Sequence, residues 1–261
     1  MEVKGAKKSM TKEEEMLKKR FVELAEKAYQ NSQFVFTSFM NVMEISLFHE
    51  AARDFLFVPY ELFGGKADSE RQMIRFGSKE MLGYEEVFPI HCVKVEPLLK
   101  KFSDDFTHRD FLGALMNLGI ERSAIGDIFI LERTGYFFCT EKMTPYIIEH
   151  LEKVKHTHVK CTLIEAMPKV IEGEKEEIVL LASSERLDGI IAKVCNVSRN
   201  ESMELFREKK IFLNGRLCEN NSSILKEKDV VSVRGFGKFI YCGVRNQTKK
   251  GKLNIIINKY I

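Results

Sequence analysis

The sequence predicts an α+β chain of three units, and three observations carry the prediction. Residues 11–57 repeat apolar positions at helical spacing. Residues 87–164 alternate patterns in the order strand, helix, strand, strand, helix, strand, and residues 186–215 read as two short helices and a strand set among cations. At 261 residues, 44% apolar and 30% charged, the chain is long enough for two or three domains with cores of their own. The expected boundaries are 1–82 for an N-terminal, mostly helical domain, 83–175 for a central domain and 183–261 for a C-terminal one.

Residues 1–10 are short, polar and basic and read as a frayed arm. From Thr11 the pattern is helical: Glu13, Glu14 and Glu15 precede Lys18, Lys19 and Arg20, and Phe21, Leu24, Ala25, Ala28 and Tyr29 supply a buried face. Phe34 to Phe57 reads as one or two further helices with Thr37 or Ser38 as cap. Pro59 and Gly64-Gly65 close the unit, and the run from Ser69 to Ser78 suits a helical turn or two. Gly64-Gly65 beside Lys66, Arg71 and Arg75 lacks the G-x-x-x-x-G-K-[ST] arrangement, and no clear strand precedes it, which favours a structural turn over a nucleotide loop.

Strands are predicted over 87–95, 125–131, 136–140 and 159–164, and helices over 107–118 and from Thr144-Pro145. Thr107 caps the first helix with Asp110 at its third position; Tyr146, Ile147, Ile148, Leu151 and Val154 line the second. The order is the βαββαβ plan of ferredoxin-like and RNA-recognition domains. Tyr136, Phe137 and Phe138 lie on its third strand, where rings can stack on RNA, yet the surrounding residues lack the RNA-recognition signature and favour packing. His108, Arg109 and Asp110 open the first helix, but no serine, cysteine or second carboxylate is spaced to complete a catalytic set. His156 and His158 share a strand edge without a third metal ligand, and read as solvated.

Residues 168–177 read as a connector, with Val170 and Ile171 able to add a strand, and 178–182 as a short strand or interdomain contact. Leu187, Ile190, Ile191 and Val194 then fall on one helical face. Asn196 and Ser198 end that helix and cap the next, which carries Met203, Leu205 and Phe206. Ile211 to Leu213 is a strand, Asn214-Gly215 a tight turn, and 229–234 a further strand. Gly235 and Gly237 flank Phe236, and 253–260 is expected to pair with 239–244 through the turn Lys249-Lys250-Gly251-Lys252.

Charge is uneven. Residues 183–261 hold 16 basic and 8 acidic side chains, leaving 25 and 30 for residues 1–182, so net charges of +8 and −5 lie behind an overall +3. Such asymmetry suits a tethered nucleic-acid binder. Six scattered cysteines without a C-x-x-C pair read as free thiols of a reducing cytosol, and neither a membrane-length apolar run nor a leader is present.

The order Arg186-Leu187-Asp188, Ser198-Arg199, Leu205-Phe206, Ile211 to Gly215 and Asp229 to Val233 resembles the small RNA-binding domain of ribosomal small-subunit protein four. Lys209 and Lys228 stand where that family has glycines, and Ser202 where it has alanine. Phe106 to Asp127, with Gly64-Gly65, Glu70-Arg71 and the run Val233 to Gly237, resembles the bacterial YlmH family over nearly the whole chain. That resemblance implies a cytoplasmic, non-catalytic RNA-binding protein without cofactor or metal, docked on ribosomal RNA of the large subunit and near tRNA. It further implies ribosome-associated quality control or translation-linked regulation, with genes beside those of cell division. The expected RNA contacts are Arg186, Arg199, Arg207, Lys209, Lys210, Arg216, Arg234 and Lys238, with Arg109, Arg122, Lys249 and Lys250 as secondary ones. The alternatives are an accessory to a pseudouridine-synthase-like RNA-modifying enzyme and a cell-division-linked scaffold.

Overall fold

The glutamates early in the first predicted helix have a direct structural use. Thr11 Oγ1 accepts from Glu14 N and Glu14 Oε2 accepts from Thr11 N, a reciprocal cap that satisfies two otherwise unpaired donors and starts α1 (Lys12–Gln30). The computed structural model describes residues 11–55, 57–66, 69–165, 168 and 175–260, so the arm at 1–10 and the optional strand at Val170 and Ile171 lie outside the described residues.

The segment after α1 departs from its helical reading. It forms β1 (Val35–Phe36), α2 (Val42–Ala51), β2 (Tyr60–Phe63), β3 (Met73–Phe76) and a single-turn α3 (Lys79–Leu82). The strands make an antiparallel sheet in the order β1-β3-β2. Asn41, rather than Thr37 or Ser38, caps α2, accepting from Met43 N at 2.8 Å and Glu44 N at 3.1 Å. Thr37 Oγ1 instead accepts from Ile74 N and ties β1 to β3. The run from Ser69, expected as a helical turn or two, instead forms strand over Met73–Phe76 because Ile74 and Phe76 find backbone partners on both sides and bury completely. A strand does precede Gly64-Gly65, and the glycines serve packing: a Cβ on Gly64 would lie 2.1 Å from the Arg71 carbonyl, and one on Gly65 (φ +101°) 2.2 Å from the Phe138 ring. Gly65→Ala is expected to cost about 3 kcal/mol or more through overpacking and a disallowed φ, read as a lowered urea midpoint.

The central elements are β4 (Ile90–Pro97), α4 (His108–Asn117), β5 (Ile125–Leu131), β6 (Thr134–Thr140), α5 (Thr144–His150), β7 (Lys153–Val154) and β8 (Thr157–Ile164). Their sheet order is β5-β6-β4-β8-β7, with all neighbours antiparallel. Asp110 Oδ2 accepts from both Thr107 N and Thr107 Oγ1 at the start of α4. One face of the sheet packs Val93, Val95 and Phe137 with Phe111, Leu115 and Ile147 of α4 and α5. The other face carries Cys92, Tyr136 and Phe138 against Phe39 and Met73 of the preceding unit. Tyr136, Phe137 and Phe138 are therefore all packed, and the face on which RNA-recognition domains stack bases is covered by the chain itself. The α5 lining differs from expectation: the helix ends at His150, Val154 lies on β7, and Tyr146 and Ile148 are exposed.

The last unit comprises β9 (Lys175–Ala182), α6 (Leu187–Val194), α7 (Arg199–Arg207), β10 (Ile211–Leu213), β11 (Arg216–Leu217), β12 (Val230–Val233), β13 (Gly237–Gln247) and β14 (Leu253–Tyr260). They form one sheet in the order β11-β10-β12-β13-β14-β9. Leu187, Ile190, Ile191, Leu205 and Phe206 bring the helix pair onto its Val231, Val233, Phe239 and Ile255. Asn214 (φ +52°) and Gly215 (φ +75°) make the tight turn between β10 and β11. That hairpin rests on α2, where Leu217 N donates to Ser46 Oγ at 2.8 Å. No helix among the described residues is long and apolar enough to cross a membrane.

Candidate nucleic-acid interface

Two cation-bearing helix starts face each other across one buried carboxylate. Arg186, at the N-cap of α6, forks Asp188 through Nε at 3.1 Å and an NH2 group at 3.0 Å, while Asp188 itself is 4% exposed. Arg199, first residue of α7, lies close enough to help hold the Asp188 carboxyl below its usual range, together with the Arg186 fork and the Gly189 N–H. Ser198 starts α7 by a reciprocal cap with Glu201. Ser202, at the position where alanine was expected, is fully buried and satisfied, its hydroxyl donating to the Asp188 carbonyl at 2.9 Å. Arg186 is thus partly committed to structure, whereas Arg199 is exposed.

The far end of α7 lies about 12 Å along the helix. There Arg207 pairs with Glu204, Lys209 with Glu219 at 3.6 Å and Lys210 with Glu208 at 2.6 Å. Each is an accessible surface pair worth roughly 0–1 kcal/mol, so a phosphate can displace it at small cost. The Lys210 carbonyl accepts from Arg234 N, which sets exposed Arg234 beside this group. Arg199, Arg207, Lys209, Lys210 and Arg234 therefore line α7 and the adjoining turn.

Other expected contacts lie elsewhere. Arg216 sits beside His49 at the junction with α2, where burial and the arginine together lower the histidine's pKa. Lys249 and Lys250 stand at the far end of β13 and β14, roughly 30 Å of strand from Lys238. Arg109, Arg122 and Lys238 meet in a separate cleft of about 490 Å³, together with Lys66, Arg71, Phe129 and Tyr260. The sequence reading passed over Lys66 and Tyr260 as nucleic-acid contacts, because only folding brings residues so far apart in the chain together.

The backbone at both lysines found at glycine positions is one that favours glycine. Lys209 has φ +56° and Lys228 φ +71°, left-handed conformations that a side chain disfavours by roughly 1 kcal/mol. Lys228→Gly is expected to stabilise the fold by about 0.5–1 kcal/mol, read as a higher denaturation midpoint; Lys209→Gly should stabilise similarly while removing a cation from the α7 patch.

The residues of the longer motif, Glu70-Arg71 and Arg122 to Asp127, make a latch between the first unit and the central sheet. Asp127 accepts from Glu70 N at 2.7 Å and Arg71 N at 3.0 Å. Arg71 donates to the carbonyls of Ile125, Phe39 and Arg122 at 2.9, 3.0 and 3.1 Å. Burial raises the Asp127 carboxyl to about 6 and lowers Arg122 to about 10, the latter with help from neighbouring Arg71. Arg75 is also structural, donating to Glu86 O and Glu61 and lying over the Phe34 and Phe88 rings.

Thr144 Oγ1 lies 3.1 Å from His91 Nδ1 and 3.3 Å from Cys139 Sγ, but this hydroxyl beside an imidazole is buried, the threonine being 3% exposed. Burial pushes Cys92 and Cys161 up to about 12 and Cys139 and Cys195 to about 11, which keeps these thiols protonated. His156 and His158 are exposed, and among the described residues no three His, Cys, Asp or Glu side chains are grouped to hold a metal ion.

Fold and surface define a mixed α+β protein with a cationic face suited to a polyanion. Residues 84–167, the central βαββαβ region, match the family described as "Putative RNA-binding domain in YlmH". "Ribosome-associated protein quality control protein P2" of Bacillus subtilis (strain 168) is 27% identical over 200 residues, 75% of this chain and 76% of the relative. The solved structure "Cell division protein ylmH from Streptococcus pneumoniae" shares the fold with a TM-score of 0.50 at 17% identity, over 61% of this chain and 96% of that one. The central region of the chain is thus similar to the RNA-binding domain of the YlmH family.

Proposed function

We propose that this chain is a non-catalytic cytoplasmic RNA-binding protein that docks on large-subunit ribosomal RNA, beside tRNA, in ribosome-associated quality control. The observation that carries the reading is the run of Arg199, Arg207, Lys209, Lys210 and Arg234 along α7 and its adjoining turn, held by no more than surface ion pairs. Its setting, two helices against a sheet with β10 and β12 adjacent, fits the RNA-binding domain type of ribosomal small-subunit protein four. The strand order β5-β6-β4-β8 fits a ferredoxin-like centre, and the domains would divide near 82 and between 175 and 183. Arginine forks and lysine point charges hold phosphates by shape and contribute little sequence specificity. The relation to the Bacillus subtilis quality-control protein supports the ribosomal target.

Ribosome co-sedimentation with and without nuclease, followed by mapping of RNA crosslinks, tests this. Nuclease-sensitive pelleting with large-subunit crosslinks is the expected result. Nuclease-insensitive protein complexes would favour a scaffold, and formation of a modified base would favour an enzyme accessory.

A further inference from the structure

The cleft between the three sheets has a composition distinct from the α7 patch. Its cations come from all three units: Lys66 follows β2, Arg109 opens α4, Arg122 precedes β5 and Lys238 lies on β13. Two aromatic rings stand among them, Phe129 from β5 with the Lys66 ammonium 4.5 Å from its centroid, and Tyr260 from β14 with Lys238 at 5.4 Å. Its two carboxylates are Glu70 and Asp127, and both Asp127 oxygens already accept backbone N–H groups. With Arg71 included, five cations and two carboxylates line about 490 Å³, the volume range of small-ligand sites, although Arg71 and one Arg122 nitrogen also donate to backbone carbonyls. Arg109 is exposed at the cleft and has no hydrogen-bond or ion-pair partner among the described residues.

We propose that this cleft holds one nucleotide, its phosphate facing Arg109, Arg122 and Lys238 and its base against the Phe129 and Tyr260 walls. Cations alone select any anion; rings among cations select a phosphate joined to a flat aromatic group. The occupant is either an unpaired nucleotide of an RNA chain or a free mononucleotide, and only the first source rests on the RNA-binding reading. Because the walls belong to three units, the bound nucleotide also ties their relative placement together.

The full chain is titrated calorimetrically with adenosine 5′-monophosphate, adenosine, inorganic phosphate and a hexamer of adenylate. The monophosphate or the hexamer should bind more tightly than adenosine and phosphate; Arg109→Ala should weaken that binding about tenfold and Tyr260→Leu about fivefold. Binding of the monophosphate identifies a free-nucleotide site, and binding of the hexamer alone identifies an RNA-linked one; either supports the proposal. Equal binding of inorganic phosphate, or indifference to both substitutions, overturns it, as does failure of every probe. The Arg199→Glu/Lys209→Glu variant separates the two sites: it should lose ribosome pelleting and keep adenylate binding. Loss of adenylate binding in a wild-type chain that still pellets with ribosomes would sink the cleft while leaving the ribosomal reading intact.

Discussion

Reversing Arg199 and Lys209 together, as Arg199→Glu/Lys209→Glu, is expected to lower affinity for ribosomal RNA by about 100-fold or more at low salt. It should also reduce the slope of log K against log salt by about two, because each lost phosphate contact removes close to one released counterion. The fold should survive. Arg199 is an exposed first-turn residue, where a carboxylate suits the helix dipole; Asp188 loses the field of Arg199 but keeps the Arg186 fork and the Gly189 N–H, and Lys209 gives up its pair with Glu219. Lys209 and its replacement would occupy the same left-handed backbone, so strain does not separate them. A titration series from low to moderate salt measures both quantities. An unchanged slope would place the RNA contacts elsewhere on the protein.

Removing Arg71 should have the largest effect on stability. Arg71→Ala leaves the carbonyls of Phe39, Arg122 and Ile125 without its N–H donors and takes a cation from beside Asp127. Breaking one side of a largely buried charged network costs about 3–5 kcal/mol, read as a drop in the urea midpoint. The loss should appear first as faster amide exchange where Phe39 and Met73 meet Tyr136 and Phe138, since Arg71 bridges those two units.

Asp127 adds a pH signature. Burial raises its folded pKa from 3.8 to about 6, so between those values the folded chain keeps a proton that the unfolded chain releases. Stability from this group is therefore greatest at low pH and is lost as pH rises toward and through 6, by about 3 kcal/mol over the whole interval. Asp127→Asn should flatten that part of the stability profile; an unaltered profile would show that the carboxyl is ionised without penalty.

Local signals were readable wherever a residue acts on its own chain neighbours. Ser198 as a cap, Thr107 with Asp110 and Asn214-Gly215 all act within three residues, and each appears where the sequence places it. The run from Ser69 misled because its helix-like opening competes with strand partners from β1 and β2, which no local pattern reveals. Asn41 was passed over as a cap since Thr37 and Ser38 offer the same chemistry nearby; what excludes Thr37 is its distant bond to Ile74 N. Among the basic residues, the sequence groups Arg216 with Arg199 and sets Lys249 and Lys250 as secondary contacts, while the fold sends Arg216 to a domain junction and the two lysines to a hairpin tip.

By itself the sequence determined the longer helices, most strands beyond the first unit, the concentration of positive charge after residue 182 and the family resemblance, all consequences of periodicity, capping and order along one chain. The tertiary structure alone decided that the central aromatic face is covered, that Glu70-Arg71 and Asp127 act as a latch, and that cations from three units enclose a common cleft. Those outcomes depend on contacts between residues scores of positions apart, whose geometry is set by how sheets pack and which buried polar groups must find partners.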